Sequence, residues 1–170
     1  MALREISCEE LALNPFERIG QEWMLVTAGD ESGFNTMTAS WGALGVIWGK
    51  DAATCYIRQS RHTKEFIDRA GRITLSFLGP EWKRQLSYLG SVSGRDEDKV
   101  AKAGLTPVFV DGTTTFAEAT LTLVCRTMAA VCLDPKDFVD ASVDAAWYQD
   151  HDYHTMYVGA IERVLVPEGR

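Results

Sequence analysis

Short β-branched and aromatic runs recur along this chain without the regular strand and helix alternation that a parallel sheet demands. They are Glu22–Ala28, an extended segment from Phe34 to about Trp48, Ala53–Arg58, Ile73–Leu78, Val108–Val110, Phe116 onward into a long stretch 119–133, and Met156–Val166. Gly29, Asp30, Ser32 and Gly33 supply turn residues after the first run. Three short helices fit between the runs: Thr63–Ala70 closed by Gly71, Pro80–Leu86 opened by its proline, and Asp96–Ala103 closed by Gly104. The pattern predicts a mainly β chain, an antiparallel barrel or sandwich with short helical inserts.

The second run is unusual in its small residues. Ala39, Ser40, Gly42, Ala43, Gly45 and Gly49 suggest a strand that bends, or one whose backbone is approached closely. At 170 residues the whole chain, 1–170, reads as one domain with room for a hydrophobic core.

Twenty-four acidic against 17 basic side chains give a net charge of −7. That balance argues against nucleic-acid binding through general phosphate attraction, so any anion site must be local. The start, Met1 to Cys8, carries Arg4 and Glu5 and lacks the apolar core of a signal peptide. No apolar run is long enough to span a bilayer, and a cytoplasmic location is expected. Cys8, Cys55, Cys125 and Cys132 form no CxxC pair, and buried free thiols are expected of them. The acidic stretch from Asp134 to Tyr153, with Phe138, Trp147 and Tyr148, reads as a solvated loop with a helical turn.

The densest chemistry lies in Arg58-Gln59-Ser60-Arg61-His62-Thr63, between a strand end and a helix start. A helix N-terminus offers unpaired N–H groups and partial positive charge; hydroxyls and guanidiniums add directed donors, and together these are phosphate-binding parts. The plainer alternative is that Ser60 or Thr63 caps the helix while the arginines pair with surface carboxylates. A second stretch, Asn35-Thr36-Met37-Thr38-Ala39-Ser40-Trp41, alternates small and hydroxyl-bearing residues. Its backbone and hydroxyls could match the donor and acceptor edge of a flavin, and Ala39 leaves room for a flat ring; a Thr-rich edge strand is the alternative.

These two stretches, extended to Asn35–Gly42 and Tyr56–Thr63, form ordered blocks with Gly90-Ser91-Val92-Ser93-Gly94-Arg95-Asp96 and Tyr153-His154-Thr155-Met156-Tyr157-Val158-Gly159. Together they resemble the flavin reductase-like domain family, which includes flavoredoxins, over about Trp23 to Leu165. The resemblance implies an FMN-binding split β-barrel, a Greek-key antiparallel barrel, that forms a homodimer with flavin near the subunit interface. It implies FMN contacts from Thr36, Met37, Thr38, Ala39 and Ser40 along the ring and from Arg58, Ser60, Arg61 and Thr63 at the phosphate. Ser93, Gly94 and Arg95 would close over the site. His154 matches a histidine that related reductases carry near the nicotinamide or flavin, and it is the catalytic candidate. In those relatives an aspartate often precedes it; here Tyr153 does, with Asp152 one position earlier.

No GxGxxG follows a strand, so a Rossmann site for NAD is not expected. Related reductases stack nicotinamide directly on flavin, which keeps NAD(P)H as a candidate electron donor. His151, Asp152 and His154 lack a third soft ligand nearby, and no metal is expected. Gly90-Ser91-Val92-Ser93-Gly94 has Val92 where a nucleophile elbow needs serine. The leading expectation is an NAD(P)H-dependent flavin reductase. An electron-transfer flavoprotein fed by a redox partner protein, or a non-enzymatic binding module, are the alternatives.

Overall fold

The β-branched runs become antiparallel strands, several of them buried along nearly their whole length, in a computed structural model that describes residues 3–169. Met1 and Ala2 of the N-terminal reading, and Arg170 at the end of the 1–170 domain, lie outside the described residues. The strands are β1 (Leu3–Ile6), β2 (Met24–Asp30), β3 (Gly33–Ala39), β4 (Gly42–Ile47), β5 (Lys50–Arg58), β6 (Arg72–Phe77), β7 (Pro107–Val110), β8 (Thr113–Phe116), β9 (Leu121–Cys132) and β10 (His154–Pro167). Eight of them follow the order β3-β2-β6-β9-β10-β5-β4, with β1 added on β10, while β7 and β8 form a separate hairpin. The helices are α1 (Pro15–Glu17), α2 (His62–Ala70), α3 (Lys83–Ser91), α4 (Lys99–Ala103) and α5 (Ser142–Trp147).

The extended segment 34–48 is two strands rather than one bent strand. β3 pairs with β2 and β4 with β5, so Ser40 and Trp41 carry the chain between the two ends of the sheet order. Glycine is needed where β4 begins: a Cβ on Gly42 would lie 2.6 Å from the Thr54 carbonyl oxygen. β1, absent from the sequence expectation, is four residues long with two exposed positions, too short for a periodic signal. Phe116 ends β8 instead of opening the long strand, and the chain turns before β9 starts at Leu121.

α2 ends as its sequence indicates, with Gly71 in the left-handed region at φ 64°, and Gly104 closes α4 likewise at φ 72°. One apolar cluster fills the barrel with Cys55, Ile57, Ile73, Leu75, Leu123 and Tyr157. A second, around Leu78, Leu86, Leu89, Leu105 and Phe116, seats α3 and the β7–β8 hairpin. All four cysteines are free, but only Cys55 and Cys125 are buried. Cys132 is exposed because the last half of β9 runs out past the core, and Cys8 is half-buried beside Asp51. Among the described residues no helix is long and apolar enough to cross a membrane, and no group of three His, Cys, Asp or Glu side chains is placed to hold a metal ion.

Candidate functional site

Pairing of β5 with β10 sets His154 directly opposite Arg58. Opposed residues of an antiparallel pair share a face, and Tyr56, two residues back, shares it too. The end of β3 and the start of α2 complete the corner. Met37, Thr38, Ala39, Ser40, Trp41, Tyr56, Arg58, Arg61, Trp147 and His154 line a cavity of about 250 Å³ there. A second hollow of about 520 Å³, walled by Phe16, Ile19, Ala43 and Leu44, shares Ser40, Trp41 and Tyr56 with the first, so the two adjoin in one cleft region.

The Thr-rich segment is anchored as well as open. The Thr38 hydroxyl donates to the Leu86 carbonyl at 2.6 Å, fixing the end of β3 against α3. Met37 and Ala39 are buried and Ser40 half-buried, so the cavity floor has small and apolar contributions. Thr36 lines no part of it: its side chain is fully buried and shares a 2.7 Å hydrogen bond with the Thr27 hydroxyl.

His154 is buried, 8 % exposed, and its Nδ1 is 2.9 Å from the Tyr148 hydroxyl. The Trp41 ring lies over it at 4.8 Å between centroids, tilted by 38°, and Trp147 meets Trp41 edge-on at 5.0 Å. Burial, seconded by the Arg58 charge, pushes the His154 pKa down to about 4. The imidazole is therefore neutral at physiological pH.

Arg58 faces the cavity while its guanidinium is held from outside. Nη1 donates to Asp150 Oδ1 and Oδ2 at 3.0 and 3.1 Å and to the Asp152 carbonyl at 3.1 Å, and Nη2 donates to the Trp147 carbonyl at 2.9 Å. Arg61 donates through Nη1 to the Gly90 carbonyl at 2.7 Å, near the C-terminal end of α3 where a cation suits the helix dipole. Arg61 is also the N-cap position of α2, and no side chain caps that helix. Neither Ser60 nor Thr63 takes the capping role allowed by the sequence. The Ser60 N–H and hydroxyl both go to the Asp152 carboxylate, at 3.1 and 2.6 Å. Thr63 is buried and its hydroxyl accepts from Asn35 Nδ2 at 2.8 Å.

The Ser93-Gly94-Arg95 turn packs on Asn35 and lines no part of the cavity that Arg58 and His154 share. A Cβ on Gly94 would come within 2.1 Å of Asn35 Oδ1, the Ser93 hydroxyl accepts from the Arg95 N–H at 3.2 Å, and Arg95 pairs with Glu65. A hollow of about 670 Å³ does border Gly94 and Arg95, but Glu31, Asp96, Glu97 and Asp98 also wall it, a poor setting for an anion. The fold thus brings together Met37, Thr38, Ala39, Ser40, Arg58, Arg61 and His154. It leaves Thr36, Ser60, Thr63, Ser93, Gly94 and Arg95 outside that cavity's wall.

Residues 16–170 match the flavin reductase like domain family. The chain belongs to that family. Among solved structures it is similar to an FMN-binding domain of a flavin reductases-like enzyme from Shewanella baltica, with a TM-score of 0.69 and 15% identity over 97% of this chain and 77% of that one. Flavoredoxin of Desulfovibrio vulgaris (Miyazaki F) gives 0.66 and 23% over 86% and 69%, and nitrilotriacetate monooxygenase component B from Bacillus cereus gives 0.67 and 15% over 99% and 83%. No curated protein matches. The mainly antiparallel sheet with short helices is thus the split-barrel fold of flavin reductase-like proteins.

Within this flavin reductase-like barrel, three cavity residues were absent from the sequence expectation: Trp41, Tyr56 and Trp147. Trp41 and Tyr56 stand inside the blocks that carry the family resemblance. Trp147 comes from the acidic segment, which is not simply a solvated loop: α5 ends there, Tyr148 is 2 % exposed beneath Phe138 and Tyr153, and Asp150 and Asp152 reach Arg58 and Ser60. Aromatics spaced through an acidic run were the available signal, since a purely solvated loop has no use for them.

Proposed function

We propose that the cleft binds FMN and that the protein is a flavin reductase-like oxidoreductase of the cytoplasm, a single domain acting as a homodimer. The observation that carries this reading is the meeting of Arg58, Arg61 and His154 with the segment Met37–Trp41 around one cavity, in a chain of this family. The donor set fits the cofactor. Two guanidiniums suit a phosphate, the neighbouring hollow extends the space for a ring system, and Trp41, Tyr56 and Trp147 give flat apolar walls.

In this assignment Arg58 and Arg61 hold the phosphate, with Ser60 able to join them, while Met37, Thr38, Ala39 and Ser40 line the ring. Thr36 and Thr63 act behind these residues, Thr63 by fixing Asn35. Ser93, Gly94 and Arg95 support the same corner through Asn35. FMN, when bound, supplies the redox chemistry. The protein's part is position, exclusion of water and control of protons. Neutral His154, oriented by the Tyr148 hydroxyl, presents a ring without positive charge beside the site and leaves the cation role to the arginines.

NAD(P)H is the proposed electron donor. The test is anaerobic addition of NADH or NADPH to the FMN-loaded protein in a rapid-mixing spectrophotometer. Bleaching of the flavin band within the mixing experiment supports a reductase. A band that persists with both nucleotides but bleaches on adding a reduced redox protein would move the assignment to an electron carrier. A colourless protein indifferent to FMN would leave only a binding module.

A further inference from the structure

The corner Trp147–Asp152 is built as an anion and sits on donors that a phosphate would use. The Asp152 carboxylate takes both the N–H and the hydroxyl of Ser60, Asp150 takes Nη1 of Arg58 with both oxygens, and the carbonyls of Asp152 and Trp147 accept from Nη1 and Nη2. Backbone N–H, hydroxyl and guanidinium converging on one carboxylate pair is the arrangement by which proteins grip oxyanions. We propose that this corner is an internal competitor for the anionic head group of the ligand, and that it must release Ser60 and Arg58 before the head group can engage both. The proposal rests on the assignment of an FMN phosphate to Arg58 and Ser60.

Two further features suit a segment that lets go. The Asp150 side chain is 64 % exposed, so its ion pair is weakly held. His151 carries φ 57°, a left-handed conformation that a non-glycine residue leaves with a gain. Tyr148, by contrast, is buried against Phe138, Tyr153 and His154. The moving part is accordingly 149–152, pivoting between two anchored tyrosines. The alternative is that the carboxylates hold Arg58 and Ser60 in the orientation a ligand needs. The two ideas predict opposite signs: a competitor's removal strengthens binding, and an orienting group's removal weakens it.

The experiment titrates FMN and riboflavin, which lacks the phosphate, into the full-length protein and into Asp152→Asn and the double variant Asp150→Asn with Asp152→Asn. FMN should bind about tenfold or more tightly in the variants, the fold-change matching the low end of a charge-assisted hydrogen bond, and riboflavin should bind as it does to the wild type. An FMN affinity that is unchanged or lower in Asp152→Asn overturns the proposal while leaving the phosphate assignment intact. FMN binding no better than riboflavin in all three proteins removes that assignment itself. Hydrogen exchange of the unaltered protein keeps the idea testable should a variant fold poorly. FMN, but not riboflavin, should speed exchange at the Asp152 amide, whose N–H is held by Asp150 Oδ1 at 3.2 Å; slower exchange there on adding FMN contradicts release.

Discussion

Burying His154 beneath Trp41 and Tyr148 decides its charge as well as its place. Its folded pKa lies near 4, below the ordinary value of 6.5, so the unfolded chain binds the extra proton over that interval. Stability tied to His154 is therefore whole above about pH 6.5 and drains away as pH falls toward 4, by about 3 kcal/mol across the window. Denaturant melts of wild type and His154→Gln at pH 7 and pH 4.5 check this: the wild type should lose more stability than the variant on acidification. Equal losses would mean that the ring is not held neutral by its surroundings. The Tyr148 hydroxyl is part of the same device, since it satisfies the one ring nitrogen whose partner is known.

At the scale of elements, glycine and charge spacing carried most of what could be read ahead of the structure. Gly71 and Gly104 ended α2 and α4 where expected, because a left-handed C-terminal residue is a local requirement written in one position. The division of 34–48 into β3 and β4 was less legible. Small residues signalled close approach, but which strand approached is a long-range fact: Gly42 packs on Thr54 of β5. Gly42→Ala should thus destabilise the protein by roughly 1–3 kcal/mol through overpacking against a backbone oxygen, read as a lower urea midpoint. An unchanged midpoint would show that the β4–β5 contact has slack. The block Arg58–Thr63 offered the parts of an anion site, yet did not show that Thr63 is spent on Asn35 or Ser60 on Asp152, since both partners lie far away in sequence. The acidic stretch misled for the same reason. Its carboxylates looked solvated until the fold set Asp150 against Arg58 of β5 and Asp152 against Ser60 just before α2.

Among the described residues the sheet order ends on β3 and β4, each paired on one side. β4 closes the strand order with Val46 and, just beyond it, Trp48 at 74 % and 63 % exposure. An apolar edge of this kind invites pairing with another chain. If the protein is the homodimer proposed, with this edge in the contact, sedimentation should give the mass of two chains and Val46→Lys should shift it toward one; an unshifted dimer would place the contact elsewhere. A dimer would also bring a second surface close to the hollow at Phe16 and Leu44, which opens beside the Trp41 cavity.

In the proposed function Arg58 and its neighbours hold the phosphate of FMN at the end of β5. Titration of the purified protein with FMN, followed by flavin fluorescence and by thermal melting, tests it most directly. Saturable quenching with a rise in melting temperature is expected, and Arg58→Ala should weaken FMN binding by roughly 1.5 to 3 kcal/mol, the range for a charged hydrogen bond, while leaving riboflavin almost unaffected. Absence of both quenching and thermal stabilisation in the wild type, or an Arg58→Ala protein that binds FMN as tightly as its parent, would contradict the account.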